Sequence, residues 1–412
     1  MIHQLFDRRY EIRAVTALSF GFGLVGVDRF LIAPLFPTMM VDMHLDYQDL
    51  GAITAALSIS WGLSALFIGS LSDRFGRRLV VIGSLVAFSL LIGLSGLAAS
   101  VAALIAARAL MGVADGAYTS ASIAATVDAS APSRHGLNLG LQQMMAPLLG
   151  LAATPILVTR LLTVINWRLV FPLLAVPGLL LAIAMFFILR DQHPQRRTAT
   201  AGRRVAWREV LGNHNVPVLM FGMLCWLTCL IVTSALLPSY LIDRLRLTSG
   251  QMGIVMSAIG FGAAAGCLVL PAISDWLGRK PVVIFATLSG AIASFALSRV
   301  GGNVELLFTF LFLTHFFNFA LITLTVGPIS TESVPVAHMA TASGLIICVG
   351  ELFGGGVAPV LAGAIAKHFG IEHILSLATG ALVAGFIVML FLRETAPNAF
   401  VRGAARQPNG VR

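Results

Sequence analysis

Five ionisable side chains lie where an oily chain offers them no water: Asp28 and Arg29 in one apolar stretch, Arg108 and Asp115 in another, and Glu351 in a third. Insertion of a charge at mid-membrane costs about 2.5–3.5 kcal/mol, so such groups must pair, take up a proton or line a wet cavity. A carboxylate in a partly dry cavity can exchange a proton near neutral pH, while an adjacent guanidinium favours its ionised form. If a cargo carboxylate takes over that guanidinium, the acid regains its proton affinity, and anion and proton become thermodynamically linked. The competing expectation is a permanent pair, Arg108 with Asp28 or with Asp115, that only orders a helix bundle.

Spacing sorts these groups. Arg108 and Asp115 are nearly two helical turns apart, on one face and about 10 Å from each other along the axis. Gly112 and Gly116 share that stripe and admit a close neighbour. Asp28 and Arg29, being adjacent, point about 100° apart and cannot do the same job. Glu351 stands in Gly350–Glu351–Leu352–Phe353–Gly354–Gly355–Gly356, where successive glycines weaken the helix and suggest a moving gate. No basic partner for Glu351 is evident, which favours a protonatable role. His315 and Asn318 share a helix face; His315 either pairs with Glu351 or is a neutral imidazole satisfied by a carbonyl. Gln142 offers polar contacts to a solute, and Tyr118 and Trp61 are candidate cavity walls. The candidate substrate-binding set is therefore Arg29, Arg108, Tyr118, Gln142, His315 and Asn318, and the proton-coupling set is Asp28, Asp115 and Glu351.

Helices must position these residues. Of the 412 residues, 58% are hydrophobic and only 11% charged, and apolar runs near twenty residues recur, each long enough to cross a hydrocarbon core. The pattern predicts an all-α membrane protein with twelve spans, at about 14–36, 48–71, 79–99, 102–125, 135–159, 169–189, 216–240, 251–273, 281–300, 305–330, 339–366 and 371–392. The polar stretch 190–215 separates a six-helix bundle over 1–189 from a second over 216–412, which ends in a tail at the inner face. Within that stretch, Trp207–Arg208–Glu209–Val210–Leu211 suits a short amphipathic turn at the surface.

The net charge of +9 is explained by topology. The first outer loop carries Asp42, Asp46 and Asp49 with no base, whereas the central linker carries Arg190, Arg196, Arg197, Arg203, Arg204 and Arg208. That bias places both termini inside and makes anionic lipid the partner of the basic residues, with no nucleic acid involved. The apolar run after Met1–Arg13 is too long for a cleaved leader. Cys225 and Cys229 are one turn apart, but no His or carboxylate accompanies them, so neither metal nor other cofactor is expected.

The chain repeats itself. A shift of about 204 positions aligns Pro34 with Pro238, Gly140 with Gly344, Gly150 with Gly354 and Pro155 with Pro359. Two bundles related by an axis along the membrane normal follow. Charged turns also recur, with Asp73 and Arg77 in the first half and Asp275 and Arg279 in the second. Asp73 is expected to dock on the start of span 11 and Asp275 on the start of span 5, where the positive helix end attracts a carboxylate. Arg77 and Arg279 would add ion pairs across the halves, holding the inner mouth shut until it opens.

Gly69, Asp73, Arg74, Gly76, Arg77 and Arg78 match the signature of the major facilitator superfamily, which the chain resembles over nearly its full length. The second copy keeps Asp275, Gly278, Arg279 and Lys280 but has Pro271 at the leading glycine. Val27–Asp28–Arg29–Phe30, with Arg108, Gly112 and Asp115, is similar to the anion:cation symporter branch, except that Asp115 replaces a glutamate. The resemblance implies that Asp28 and Asp115 carry protons and that Arg29 binds an organic anion; spinster-like lipid carriers share a similar pattern. Ala146–Pro147–Leu148–Leu149–Gly150 resembles the superfamily's antiporter motif, with Ala in place of Gly.

Other classes fit less well. There is no nucleotide-binding loop to supply ATP drive. A channel would repeat its pore charges, yet Asp28 and Arg29 have no charged counterparts near Val232. An enzyme would need an assembled nucleophile and base or paired metal ligands. The expected function is proton-coupled uptake of a small organic anion by a monomer in a bacterial inner membrane, with proton-driven export of drugs or lipids as the rival.

Overall fold

The computed structural model describes residues 7–131, 134–190, 207–335 and 338–396, without the side chains of 65–75, 207, 208 and 340. Among the described residues there are twelve long helices and no strand. They are α1 (Arg8–Met43), α2 (Tyr47–Phe75), α3 (Arg77–Ser95), α4 (Val101–Ala129), α5 (His135–Leu161), α6 (Trp167–Ile188), α7 (Asn215–Arg244), α8 (Ser249–Leu277), α9 (Arg279–Arg299), α10 (Val304–Ser333), α11 (Thr341–Phe369) and α12 (His373–Met389). All twelve expected spans are present. Several run past the apolar window because polar caps extend them: Asp7 accepts from the N–H groups of Arg9 and Tyr10, and Thr248 and Gln251 form a reciprocal capping box. The short surface helix Trp207–Gly212 falls where an amphipathic turn was expected.

The axis of α1 breaks at Leu31. Pro34 has no N–H for the Phe30 carbonyl and crowds it, so regular bonding fails one turn ahead of the proline. The break comes two residues after Arg29. In α5 and α11, wide π-type turns occupy Pro147–Ala153 and Gly350–Val357, in matching places of the two halves. There the chain crosses a neighbour closely. A Cβ on Gly150 would lie 2.3 Å from the Gly26 carbonyl oxygen, and one on Gly354 would lie 2.5 Å from that of Leu224. The α1–α5 contact thus has its counterpart in α7–α11, as the internal repeat requires.

The halves meet on the side of the membrane away from the termini. Backbones of α2 and α11 touch where a Cβ on Gly51 would lie 2.4 Å from the Pro359 oxygen, and α5 and α8 approach closely at Gly253 and Pro155. Tyr47 donates to Asp243 at 2.7 Å, and Lys367 is 2.7 Å from Asp46. Nearer the face bearing the termini, a Cβ at Gly140 or at Gly344 would meet nothing within 4 Å among the described residues.

Candidate ion and solute site

Arg29, just before the break in α1, reaches across to the second half. Its Nη1 and Nη2 donate to the two carboxylate oxygens of Glu351 at 3.0 and 2.7 Å, a bidentate bond between bundles. Nη2 also lies 3.5 Å from Ser58 Oγ, and the guanidinium sits 4.7 Å from the centre of the Trp61 ring. The wide turn Gly350–Val357 carries Glu351 and packs against α2, with its Cβ 2.9 Å from the position a Cβ on Gly62 would take. The expectation that Glu351 lacks a basic partner is therefore corrected, as is its possible pairing with His315. Residues 322 positions apart are joined only by the packing of the halves, which local spacing cannot reveal.

Arg108 settles the choice between its two acids. Its Nη1 donates to the Asp28 backbone oxygen at 2.7 Å and approaches Asp28 Oδ1 at 3.5 Å. Asp115 lies beside Asp28 in the same buried cluster of charge. Both Asp115 oxygens and Asp28 Oδ2 are without a donor from the protein. Asp28 and Asp115 are fully buried, whereas the Arg29 side chain keeps 11% exposure.

Arg29 and Arg108 both line a small cavity of about 20 Å³, bounded by α1, α2, α4 and α7. That is room for about one water molecule. Trp61 is placed by its contact with Arg29, but Tyr118 is not a cavity wall. It is buried inside the first bundle, donates to the Leu18 oxygen at 3.0 Å and meets Phe88 edge-on. A tyrosine brings a large apolar ring as well as a hydroxyl, and here the ring decides its place.

Gln142 donates to Ser122 at 2.9 Å between α5 and α4, and Asn318 donates to the Trp226 oxygen at 3.1 Å. His315 sits 3.0 Å from Thr233 Oγ1. These three are buried within their own bundles and do not line the cavity beside Arg29. Unpaired atoms remain at Gln142 Oε1, His315 Nδ1 and Asn318 Oδ1.

The expected latch at the face of the termini differs from the arrangement found. Arg77 pairs with Asp128, and Arg279 pairs with Glu332 at 2.8 Å and with Asp275 at 2.6 Å, each within its own half. The side chain of Asp73 lies outside the described residues. Each arginine finds an acid at the end of α4 or α10 in its own bundle, and Arg279 also reaches Asp275 of α8. Asp128 and Glu332 are themselves in register under the shift of about 204 positions, a signal the sequence reading missed. It also missed Tyr47–Asp243 and Asp46–Lys367, since Asp46 was read only as part of a loop lacking bases.

Two six-helix bundles, a cross-bundle ion pair at their interface and a repeated charged turn all describe a carrier, and the family model for the Major Facilitator Superfamily matches residues 18–355. The chain belongs to that superfamily. A 3-(3-hydroxy-phenyl)propionate transporter of Escherichia coli (strain K12) is 30% identical over 84% of this chain and 86% of its own. A probable L-galactonate transporter from the same strain is 26% identical over 67% of this chain and 64% of its own. Among solved structures, a bacterial homolog of the human lysosomal transporter Spinster, inward-facing and unoccupied, superposes with a TM-score of 0.74 at 17% identity. The match covers 94% of this chain and 95% of that one. As a superfamily member the protein is a membrane transporter and not an enzyme.

Proposed function

We propose that the protein takes up a small organic anion together with protons, by alternating exposure of the Arg29 site to the two faces. The observation that carries this reading is the Arg29–Glu351 pair, a bidentate bond between the bundles at the edge of a cavity. A guanidinium fork suits a cargo carboxylate as well as it suits Glu351. Three carboxylates, Asp28, Asp115 and Glu351, share this core with two guanidiniums, Arg29 and Arg108. One proton on the aspartate pair makes the empty site neutral. A monoanion on Arg29 then calls for a second proton, on Glu351, because an unbalanced buried charge costs several kcal/mol. Uptake of one anion with one proton follows. A transporter of 3-(3-hydroxy-phenyl)propionate and a probable transporter of L-galactonate among the relatives agree with a carboxylate as the recognised group.

In this reading the halves are 1–189 and 216–412, joined by the linker 190–215, and the face bearing the termini is the inner one of a bacterial plasma membrane. The Tyr47–Asp243 and Asp46–Lys367 contacts close the outer face, and a monomer surrounded by lipid is sufficient for the cycle. The repeated Arg77 and Arg279 turns would then exchange partners as the inner mouth closes. A second reading, proton-driven export, is favoured by the wide turn Pro147–Ala153 in the segment that resembles an antiporter motif.

Proteoliposomes with an imposed pH gradient test the assignment. Wild type should accumulate an organic anion on the alkaline side, while Glu351→Gln and Asp115→Asn keep exchange and lose accumulation. Normal accumulation by both variants would overturn the proton roles, and anion movement only against the proton flow would favour export.

A further inference from the structure

The Arg29 fork fixes one end of a cargo, and the wall beyond it bears on the rest. Resting on the uptake reading above, we infer that the cargo is an amphipathic monocarboxylate, with a flat or branched apolar body, and not a polyhydroxylated sugar acid. Phe30, Ile53, Leu57 and Ile231 dominate the cavity next to the guanidinium, and Ala235 completes the apolar side. Three uncharged hydroxyl residues, Thr54, Ser58 and Ser234, share this wall.

Two of the three hydroxyls have already spent their proton. Thr54 donates to the Leu50 oxygen at 2.8 Å, and Ser234 donates to the Ile231 oxygen at 3.3 Å, each within its own helix. Ser58 accepts from Arg29. A hexuronate brings about four hydroxyls and a ring oxygen, each seeking a partner once its water is removed. This wall answers few of them, and polar groups buried without partners weigh heavily against binding. An alkyl or aryl chain loses nothing on the same surface and gains from leaving water.

The cavity's size also places the cargo. About 20 Å³ of free space cannot admit a body of six or more heavy atoms, so the carboxylate must displace that of Glu351, and the body must part α1 and α2 from α7. An apolar interface separates and reseals without stranding hydrogen bonds, whereas a polyol would find only Arg108 and the three hydroxyl side chains to answer it.

The experiment is a cargo panel on the full chain in proteoliposomes with an acidic exterior. 3-Phenylpropionate and hexanoate are compared with glucuronate, with 3-phenylpropionamide to test the need for charge. The apolar acids are expected to accumulate with an apparent affinity at least about a hundredfold above that for glucuronate, and the amide is expected not to accumulate. Leu57→Asn should weaken 3-phenylpropionate about tenfold and narrow its advantage over glucuronate. Glucuronate transported as well as 3-phenylpropionate would overturn this inference and leave proton-coupled anion uptake standing. Failure of every anion to follow the pH gradient would remove both. Should Leu57→Asn not fold, the wild-type panel decides alone.

Discussion

The two bundles bury polar groups at matching depths in opposite styles. In the first, α1 and α4 are tied by charge, with Arg108 on Asp28 and Asp115 beside it. In the second, the corresponding helices α7 and α10 are tied by neutral bonds, His315 to Thr233 and Asn318 to the Trp226 backbone. The second half contributes a charge at only one described point of the interface core, Glu351, and it faces the first half's Arg29. The repeat preserved the scaffold and let the chemistry diverge. A neutral bundle can rock without changing its charge state, while the ionic one responds to protons and anions.

The largest effect should come from breaking the ionic side at its exposed end. Arg29→Ala is expected to abolish anion binding, a loss of about 2–5 kcal/mol that includes leaving Glu351 unpaired. Ligand-induced thermal stabilisation measures it directly. Adding Glu351→Gln to Arg29→Ala should restore thermal stability but not transport; restored transport would show that Arg29 does not hold the cargo.

Next in size is the packing that the halves share. Gly354→Val drives a branched side chain into the Leu224 oxygen and should cost about 1–3 kcal/mol in detergent unfolding. Gly344→Ala, ten residues earlier on the same helix, meets no described atom within 4 Å and should stabilise this conformation by up to about 1 kcal/mol. If Gly344→Ala instead blocks transport while stabilising the fold, the two halves close tightly there during the cycle.

On the neutral side, Thr233→Val removes the partner of His315 Nε2 and should cost about 1 kcal/mol of stability. Transport should change by less than threefold. A full loss of coupling in this variant would dissolve the contrast between the bundles.

The smallest effect is on acid tolerance at the surface. Glu394, just past α12, is pushed up by partial burial, but backbone N–H donors from Ala396, Arg279, Lys280 and Thr395 outweigh that and hold its carboxyl below the usual range. Its contribution to stability is therefore fully present above the unfolded-state value and is lost as pH falls through the lower folded-state one. Glu394→Gln should flatten the acid limb of a pH–stability curve while leaving transport at neutral pH intact.

Much of this was legible in the order of residues. Hydrophobic run length set twelve helices because lipid leaves backbone amides no partner outside their own segment. The recurrence of Pro34 at Pro238 and of Gly150 at Gly354 announced two related bundles. Asp28, Arg29, Arg108, Asp115 and Glu351 stood out because ions are scarce and costly in oil. Tyr118, Gln142, His315 and Asn318 were harder to place, since a polar group on a helix faces either a bundle interior or a cavity, and periodicity is the same for both.

The helices, their repeat and the residues too expensive to be idle follow from local composition and the solvent, and so can be read from the order of residues. The partners emerge on folding: Glu351 to Arg29, Asp28 to Arg108, Arg77 to Asp128 and Arg279 to Glu332. Pairing depends on distances of a few ångströms between segments far apart in the chain. Those distances are set by how two bundles pack and by which face of the membrane they close.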